Sequence, residues 1–141
     1  MKLEIVSAEK NIYSDDVRGV VAPSIEGEIA ILDNHAPLLT SLQPGEVRII
    51  QDGSEDTYIY LSGGFIEVLG NQVTILADAA ERVEEIDEEK VQEAIKQAEE
   101  KISSSQSEID LANAVASIRR DQVRLRIAQK RRSSNRPPSV S

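Results

Sequence analysis

The side chains able to do covalent or metal chemistry in this chain are few. There is a single histidine, His35, and no cysteine, which removes thiolate metal sites, a cysteine nucleophile and disulfides. With no second histidine, His35 has no partner for a paired-imidazole metal site. No serine sits in the sharp-turn context that a serine nucleophile needs. Gly63-Gly64 lacks the Lys-Ser/Thr that follows the glycines of a phosphate-binding loop, and the other glycines are isolated turn formers. Two charged runs remain. The acidic cluster Glu84, Glu85, Asp87, Glu88 and Glu89 reads as a solvated helix start rather than a cation site, because carboxylates suit the positive end of a helix. The basic run Lys130-Arg131-Arg132 has the charge to meet nucleic acid or anionic lipid. An aromatic content of 3% and a net charge of −9 argue against that use, as does the lack of a nucleic-acid motif. The residues describe a binding module with no catalytic residue, no metal site and no resident cofactor.

The stretch most suited to binding runs from Glu26 to Gly45. A glycine turn leads into the apolar run Ile29–Leu32, followed by an Asp33-Asn34 turn, His35 and Pro37. A second apolar run, Leu38–Leu42, ends at the turn dipeptide Pro44-Gly45. Two short strands around a polar turn present an exposed segment on a rigid support, which favours recognition over catalysis.

The elements that must position this stretch divide the chain of 141 residues in two. From Lys2 to about Glu84 the signals are those of strands: alternation at Leu3–Ile5, Val17–Val21, Glu46–Ile50 and Gln72–Leu76, with turn residues at short intervals. Some runs are apolar on both parities, such as Tyr58–Leu61, as expected where one face meets a core and the other a partner. Frequent short strands predict an N-terminal antiparallel β-sandwich or flattened barrel over residues 1–86. At Asp87 the period changes. Val91, Ala94, Ile95, Ala98 and Ile102 fall at helical spacing, with Asp87 as N-cap. Ser103–Ser107 interrupts the pattern, and Ser107-x-x-Asp110 caps a second helix with a seam at Leu111, Val115, Ile118, Gln122 and Leu125. That helix should reach about Arg132, roughly 35 Å at about 1.5 Å per residue. Residues 87–132 therefore form a C-terminal antiparallel two-helix hairpin, and residues 133–141 a Ser/Pro tail expected to be disordered. Charge is segregated too: the first helix is acidic, while Arg119, Arg120, Arg124, Arg126 and Lys130–Arg132 make the second basic. No apolar run approaches the about 18 residues of a membrane helix.

Glu26–Gly45, Ser62-Gly-Gly-Phe-Ile-Glu-Val68, Val73–Glu81, Ile86-Asp87 and Glu99–Ser105 together resemble the epsilon subunit of bacterial and chloroplast F-type ATP synthases. The likeness extends over nearly the whole chain up to about Arg132. It implies a non-catalytic central-stalk subunit whose sandwich binds the gamma shaft and sits on the polar loops of the membrane c-ring, coupling proton-driven rotation to ATP synthesis. By the same resemblance Glu28 and His35 belong to the ring-facing loop, Glu28 being suited to pair with a ring arginine. The hairpin is implied to lie folded or to extend along gamma to the alpha/beta catalytic hexamer. There it blocks rotation in the hydrolysis direction, and the segregation of charge suggests that the basic face Arg119, Arg120, Arg124 and Arg126 makes the inhibitory contact.

Some family members also bind regulatory ATP through Ile-Asp-x-x-Arg-Ala plus second-helix arginines. Ile86-Asp87, Arg120, Arg124 and the upstream Glu81 match that pattern here, whereas Lys90-Val91 replaces Arg-Ala. Lysine lacks the planar fork of arginine, so the resemblance implies at most weak ATP binding. The implied location is peripheral, on the cytoplasmic face of the cell membrane (thylakoid in a photosynthetic source), with membrane association through the complex only and no nucleic acid. The competing reading is a free-standing β-domain adaptor whose basic hairpin binds nucleic acid or anionic lipid, marked by salt-sensitive binding in isolation.

Overall fold

The computed structural model describes residues 1–104 and 107–134. They form a β unit, Met1–Arg82, and a helical unit that begins at Val83. The strands of the first are β1 (Lys2–Val6), β2 (Asn11–Asp16), β3 (Gly19–Ser24), β4 (Gly27–Leu32), β5 (Leu38–Leu42), β6 (Gly45–Ile50), β7 (Thr57–Leu61), β8 (Gly64–Leu69), β9 (Gln72–Ala77) and β10 (Ala80–Arg82). Pairing runs in the order β10-β7-β6-β3-β5-β8-β9-β1-β2, with β4 on β3. The turning point is the end of β3. Its first half pairs with β6, whereas Ser24 pairs with Leu42 of β5. Beside that bridge the Gln43 N–H donates to the Pro23 carbonyl at 2.9 Å and the Ile25 N–H to Ser41 at 3.1 Å. The sheet thus folds over into two layers, β10-β7-β6-β3-β4 and β5-β8-β9-β1-β2, a sandwich that is nearly a closed barrel.

Strand alternation supplies the core. Leu3, Ile5, Val47, Ile49, Ile59, Leu61, Ile66 and Ile75 point between the layers and are fully buried. Each contributes about 1.5–3 kcal/mol of burial before the entropy of ordering is subtracted. The sandwich departs from the antiparallel expectation at one place: β1 runs parallel to β9. No hairpin joins those two strands, and a parallel neighbour needs a long crossover, which the intervening strands provide. Three residues of turn-forming type lie inside strands. Asp15 and Asp16 end β2, and Pro23 sits within β3. Proline is tolerated there because its nitrogen faces the β5 side, where the neighbouring bond needs only the Pro23 carbonyl.

The second unit starts earlier than the change of period at Asp87 suggests, because Val83–Glu85 forms a single 3-10 turn that packs with the second helix. The helices are α1 (Glu88–Ser104) and α2 (Glu108–Ser134). Asp87 caps α1: its Oδ1 accepts the Lys90 N–H at 3.2 Å, and its carbonyl accepts the Val91 N–H at 3.1 Å. Ser107 caps α2 through the Asp110 N–H at 3.4 Å. At the far end Arg132 Nη1 meets Glu88 Oε2 at 3.1 Å, joining the end of α2 to the start of α1, so the pair is antiparallel. The α1 seam is the expected one, with Val91 and Ala98 buried and Ala94, Ile95 and Ile102 half-buried. The α2 seam is the expected one in part: Val115, Ile118 and Leu125 are half-buried, whereas Gln122 and Leu111 are exposed. The buried positions are Ala114 and Ala128, with Ser117, Asp121 and Arg124 half-buried on the same stripe. Small residues let the helix backbones approach, and Asp121 neutralises Arg124 within the stripe at 3.3 Å. Helix α2 runs two residues past the expected Arg132, to Ser134. The rest of the expected disordered tail lies outside the described residues, as do Ser105 and Gln106 between the helices.

Candidate functional site

Glu28 and His35 are both held by β4, but at its opposite ends. Glu28 is an exposed residue beside the tight β3–β4 turn, opposite Pro23. Ser24 Oγ accepts the Glu26 N–H at 3.2 Å and donates to the Gly27 carbonyl at 2.5 Å, which fixes that turn from within. Gly27 has φ of +124°, a conformation open to glycine. His35 follows the other end. Its N–H donates to the Leu32 carbonyl at 3.2 Å, and its ring Nδ1 lies 2.7 Å from the Ala36 carbonyl. A carbonyl can only accept, so in this contact Nδ1 is the donor. A strand rises about 3.3 Å per residue, so the two side chains do not share one loop as the resemblance implies.

The largest feature missed in the sequence is the outer face of the β5-β8-β9-β1-β2 layer. Register places Phe65 of β8 beside Leu76 of β9, and Leu76 beside Val6 of β1. Leu39 of β5 stands diagonal to Phe65, opposite Glu67. Phe65 is 53% exposed, Leu76 55% and Leu39 69%. Contiguous large apolar side chains on an outer sheet face mark a protein-binding surface. Glu67 and Glu4 lie in the next row, joined through Thr74, and give the patch an acidic flank. The signal was present in the runs Phe65–Leu69 and Val73–Leu76, apolar on both parities.

The open corner of the sandwich, between edge strands β2 and β10, is closed by side chains. The Arg82 guanidinium stands 5.6 Å from the centroid of the Tyr13 ring, and Gln51 Nε2 donates to the Tyr13 hydroxyl at 2.8 Å. Burial pushes the Tyr13 phenol above its ordinary range, the Asp15 carboxylate adds to that, and Arg82 opposes it. A phenol held neutral in this way is a structural hydrogen-bonding group rather than a base.

In the helical unit, the residues of the ATP-type motif are spread along the hairpin. Ile86 is buried, and Asp87 is occupied as the α1 cap. Arg124 is half-buried in the interhelical stripe with Asp121, and Arg120 is exposed. Glu81 belongs to the β unit, paired with Tyr60 across β10 and β7. A cleft of about 520 Å³ opens at the other end of the hairpin, lined by Lys101, Ser104, Asp110 and Asn113 among others, and none of these motif residues borders it. The four arginines proposed as one basic face occupy two. Arg119 and Arg126 are exposed and about two turns apart on one side, whereas Arg124 turns into the helix contact. Among the described residues no group of three His, Cys, Asp or Glu side chains could hold a metal ion, and no helix is long and apolar enough to cross a membrane.

Comparison with known proteins covers both units. Residues 1–83 match the family profile described as ATP synthase, Delta/Epsilon chain, beta-sandwich domain. Residues 84–129 match ATP synthase, Delta/Epsilon chain, long alpha-helix domain. The ATP synthase epsilon chain of Herpetosiphon aurantiacus is 50% identical over 133 residues, 94% of this chain and 97% of the relative. That of Chloroflexus aggregans is 51% identical over 136 residues, again 94% and 97%. Among solved structures, a chain of the Euglena gracilis mitochondrial ATP synthase, OSCP/F1/c-ring in rotational state 1, superposes with a TM-score of 0.72 at 26% identity, over 86% of this chain and 76% of that one. A chain of the Tetrahymena thermophila mitochondrial central stalk and c-ring shares the fold, with a TM-score of 0.54 at 17% identity, over 92% of this chain and 94% of that one.

Proposed function

The chain belongs to the ATP synthase delta/epsilon family, as an epsilon-type central-stalk subunit rather than the catalytic one, and from that we propose that it couples c-ring rotation through gamma to ATP synthesis. The observation that carries the reading is the exposed apolar pair Leu76 and Phe65, with half-buried Val6 at the end of their row and exposed Leu39 diagonal to it. A rotor subunit must be held by a partner tightly enough to transmit torque, and that face offers a patch of the kind that anchors stable interfaces. Gamma is the partner it fits. Glu28, at the β3–β4 tip, is the group placed to meet an arginine of the ring's polar loops, with His35 at the other end of the same strand. The test is reconstitution with gamma. Phe65→Glu with Leu76→Glu should abolish gamma binding while leaving the β unit folded, since both side chains point away from the core. Unchanged gamma binding by the folded double variant sinks the assignment of this face.

Inhibition of hydrolysis by the hairpin is the second half of the proposal. It rests on the exposed Arg119, Arg120 and Arg126 along α2, which an acidic segment of the catalytic alpha/beta hexamer can engage. Close contacts alone should count, because charges more than about 8 Å apart are largely screened at physiological salt. Replacing the exposed Arg119, Arg120 and Arg126 with alanine, and leaving Arg124 in its pair with Asp121, should raise ATP hydrolysis by the assembled head and leave gamma binding intact. Equal hydrolysis by both forms removes the inhibitory role. Regulatory ATP on Glu81, Ile86, Asp87, Arg120 and Arg124 is proposed only as weak binding, because Lys90 and Val91 stand where the motif has Arg and Ala.

A further inference from the structure

We infer that the free edge of β4 is a strand-addition site, which takes an extended, basic segment of a partner subunit into the sheet. Three strands of the β unit pair with a neighbour on one side only, namely β2, β10 and β4, and β5 meets β3 at Leu42 alone. Natural sheets blunt such edges with short strands, bulges, charges or proline. Strand β10 is only three residues long. Strand β2 carries Asp15 and Asp16 and has an irregular register against β1. Strand β4 has none of these devices over its central run Ile29–Leu32, and all six of its residues pair with β3 in one unbroken register.

The direction of its backbone groups follows from the neighbours. The Pro23 carbonyl accepts from Gln43, away from β4, so Pro23 and Glu28 form a pair without ladder bonds. Antiparallel pairs alternate; therefore Ala22–Ile29 and Val20–Ile31 carry the ladder, and Val21–Ala30 does not. The N–H and C=O groups of Glu28 and Ala30, with the Leu32 N–H, consequently face outward. The Leu32 carbonyl is taken by the His35 N–H. The side chains of Glu28, Ala30 and Leu32 are exposed, and Leu32 is 56% so.

An outward row of main-chain donors and acceptors is complementary to one thing, another extended backbone. Charge selects its character. Glu26 and the exposed Glu28 put two carboxylates at the turn end of the edge, while Asp33 at the other end is held by the N-terminal ammonium at 3.2 Å. Those two carboxylates favour a cationic segment over a neutral or acidic one. The inference rests on the stalk-subunit reading above and specifies how the chain is gripped.

Amide hydrogen exchange on the chain, free and within the assembled synthase, tests it. The Ala30 and Glu28 amides should exchange rapidly in the free chain and slow by roughly a hundredfold or more in the complex, as main-chain bonding requires. Ala30→Pro deletes an N–H that bonds nothing in the free chain, a substitution an edge strand tolerates. It should leave the thermal midpoint of the chain nearly unchanged and shorten its residence in the complex, whereas Ala30→Val should not. Assembly with both amides still exchanging rapidly overturns the strand-addition site alone. Failure of the wild-type chain to enter the complex overturns it together with the stalk reading. Protection of the same amides in the free chain at raised concentration, as self-association, also contradicts it.

Discussion

Replacing Gly64 with alanine should damage the β unit more than any other glycine substitution, and the magnitude follows from its surroundings. Gly64 opens β8, paired with Leu42 of β5 on one side and Ala77 of β9 on the other. Its φ is +142°, where an L side chain is strained by about 1–3 kcal/mol. A Cβ there would lie 2.1 Å from the Leu76 carbonyl oxygen and 2.9 Å from the Ala77 Cα, both backbone atoms. Neither can swing aside as a side chain could, so β8 must move from β9, at a further cost of about 1–3 kcal/mol for forced overpacking. The expected loss is about 2–6 kcal/mol, a large part of the about 5–15 kcal/mol that holds a domain folded. At about 4–8 °C per kcal/mol for a unit of this size, the thermal midpoint should fall by more than about 8 °C. Gly53 is the control. Its φ is +74° and nothing lies within 4 Å of its virtual Cβ, so Gly53→Ala should cost only about 1–2 kcal/mol. Urea unfolding followed by far-ultraviolet circular dichroism compares the two. Costs for Gly64→Ala and Gly53→Ala that agree within about 1 kcal/mol would refute the reasoning. Because Gly64 sets the start of β8, any folded fraction of the variant should also bind gamma poorly through the neighbouring Phe65.

Three further outcomes are expected. Asp87→Ala removes the acceptor of the Lys90 N–H and should cost the helical unit about 1 kcal/mol, read as lower helix content in mild denaturant with the β transition unmoved. Tyr13 has a folded-state pKa above its unfolded value of about 10, so its contribution is complete below pH 10 and is lost as pH rises through the folded value. Tyr13→Phe should therefore flatten the alkaline end of the stability–pH curve, and parallel wild-type and variant curves above pH 10 would contradict the assignment. Lys90→Arg with Val91→Ala should tighten ATP binding measured by calorimetry on the isolated chain, and tight binding by the unaltered chain would show that the departure from Arg-Ala does not matter.

The sequence carried the architecture well because its two periods are plain. Leu3–Ile5 and Gln72–Leu76 alternate, and Val91 to Ile102 repeat at helical spacing, so sandwich and hairpin were both legible. The parallel β1–β9 pair was not, since strand direction depends on which distant strand closes the layer. The α2 seam was read only in part. Val115, Ile118 and Leu125 are half-buried as their spacing suggests, but the buried positions are the small Ala114 and Ala128, which allow a closer helix approach, and Leu111 is exposed. Glu28 and His35 were legible as residues of one segment, though not their separation by most of a strand. The exposed apolar face went unread because Phe65 and Leu76 are adjacent only through the β8–β9 register. The arginines read as one basic face because charge can be counted along a sequence, whereas the turning of Arg124 toward Asp121 depends on where α1 packs.

The central claim, that this chain turns with the stalk, is tested most directly by watching it. A bead or fluorescent filament fixed to the chain through an engineered surface cysteine should rotate in one direction, in steps, while the immobilised catalytic head hydrolyses ATP. The same attachment to the Phe65→Glu, Leu76→Glu variant should yield no rotating beads. A marker that stays still on heads hydrolysing ATP at full rate, with the chain demonstrably bound, would contradict the account.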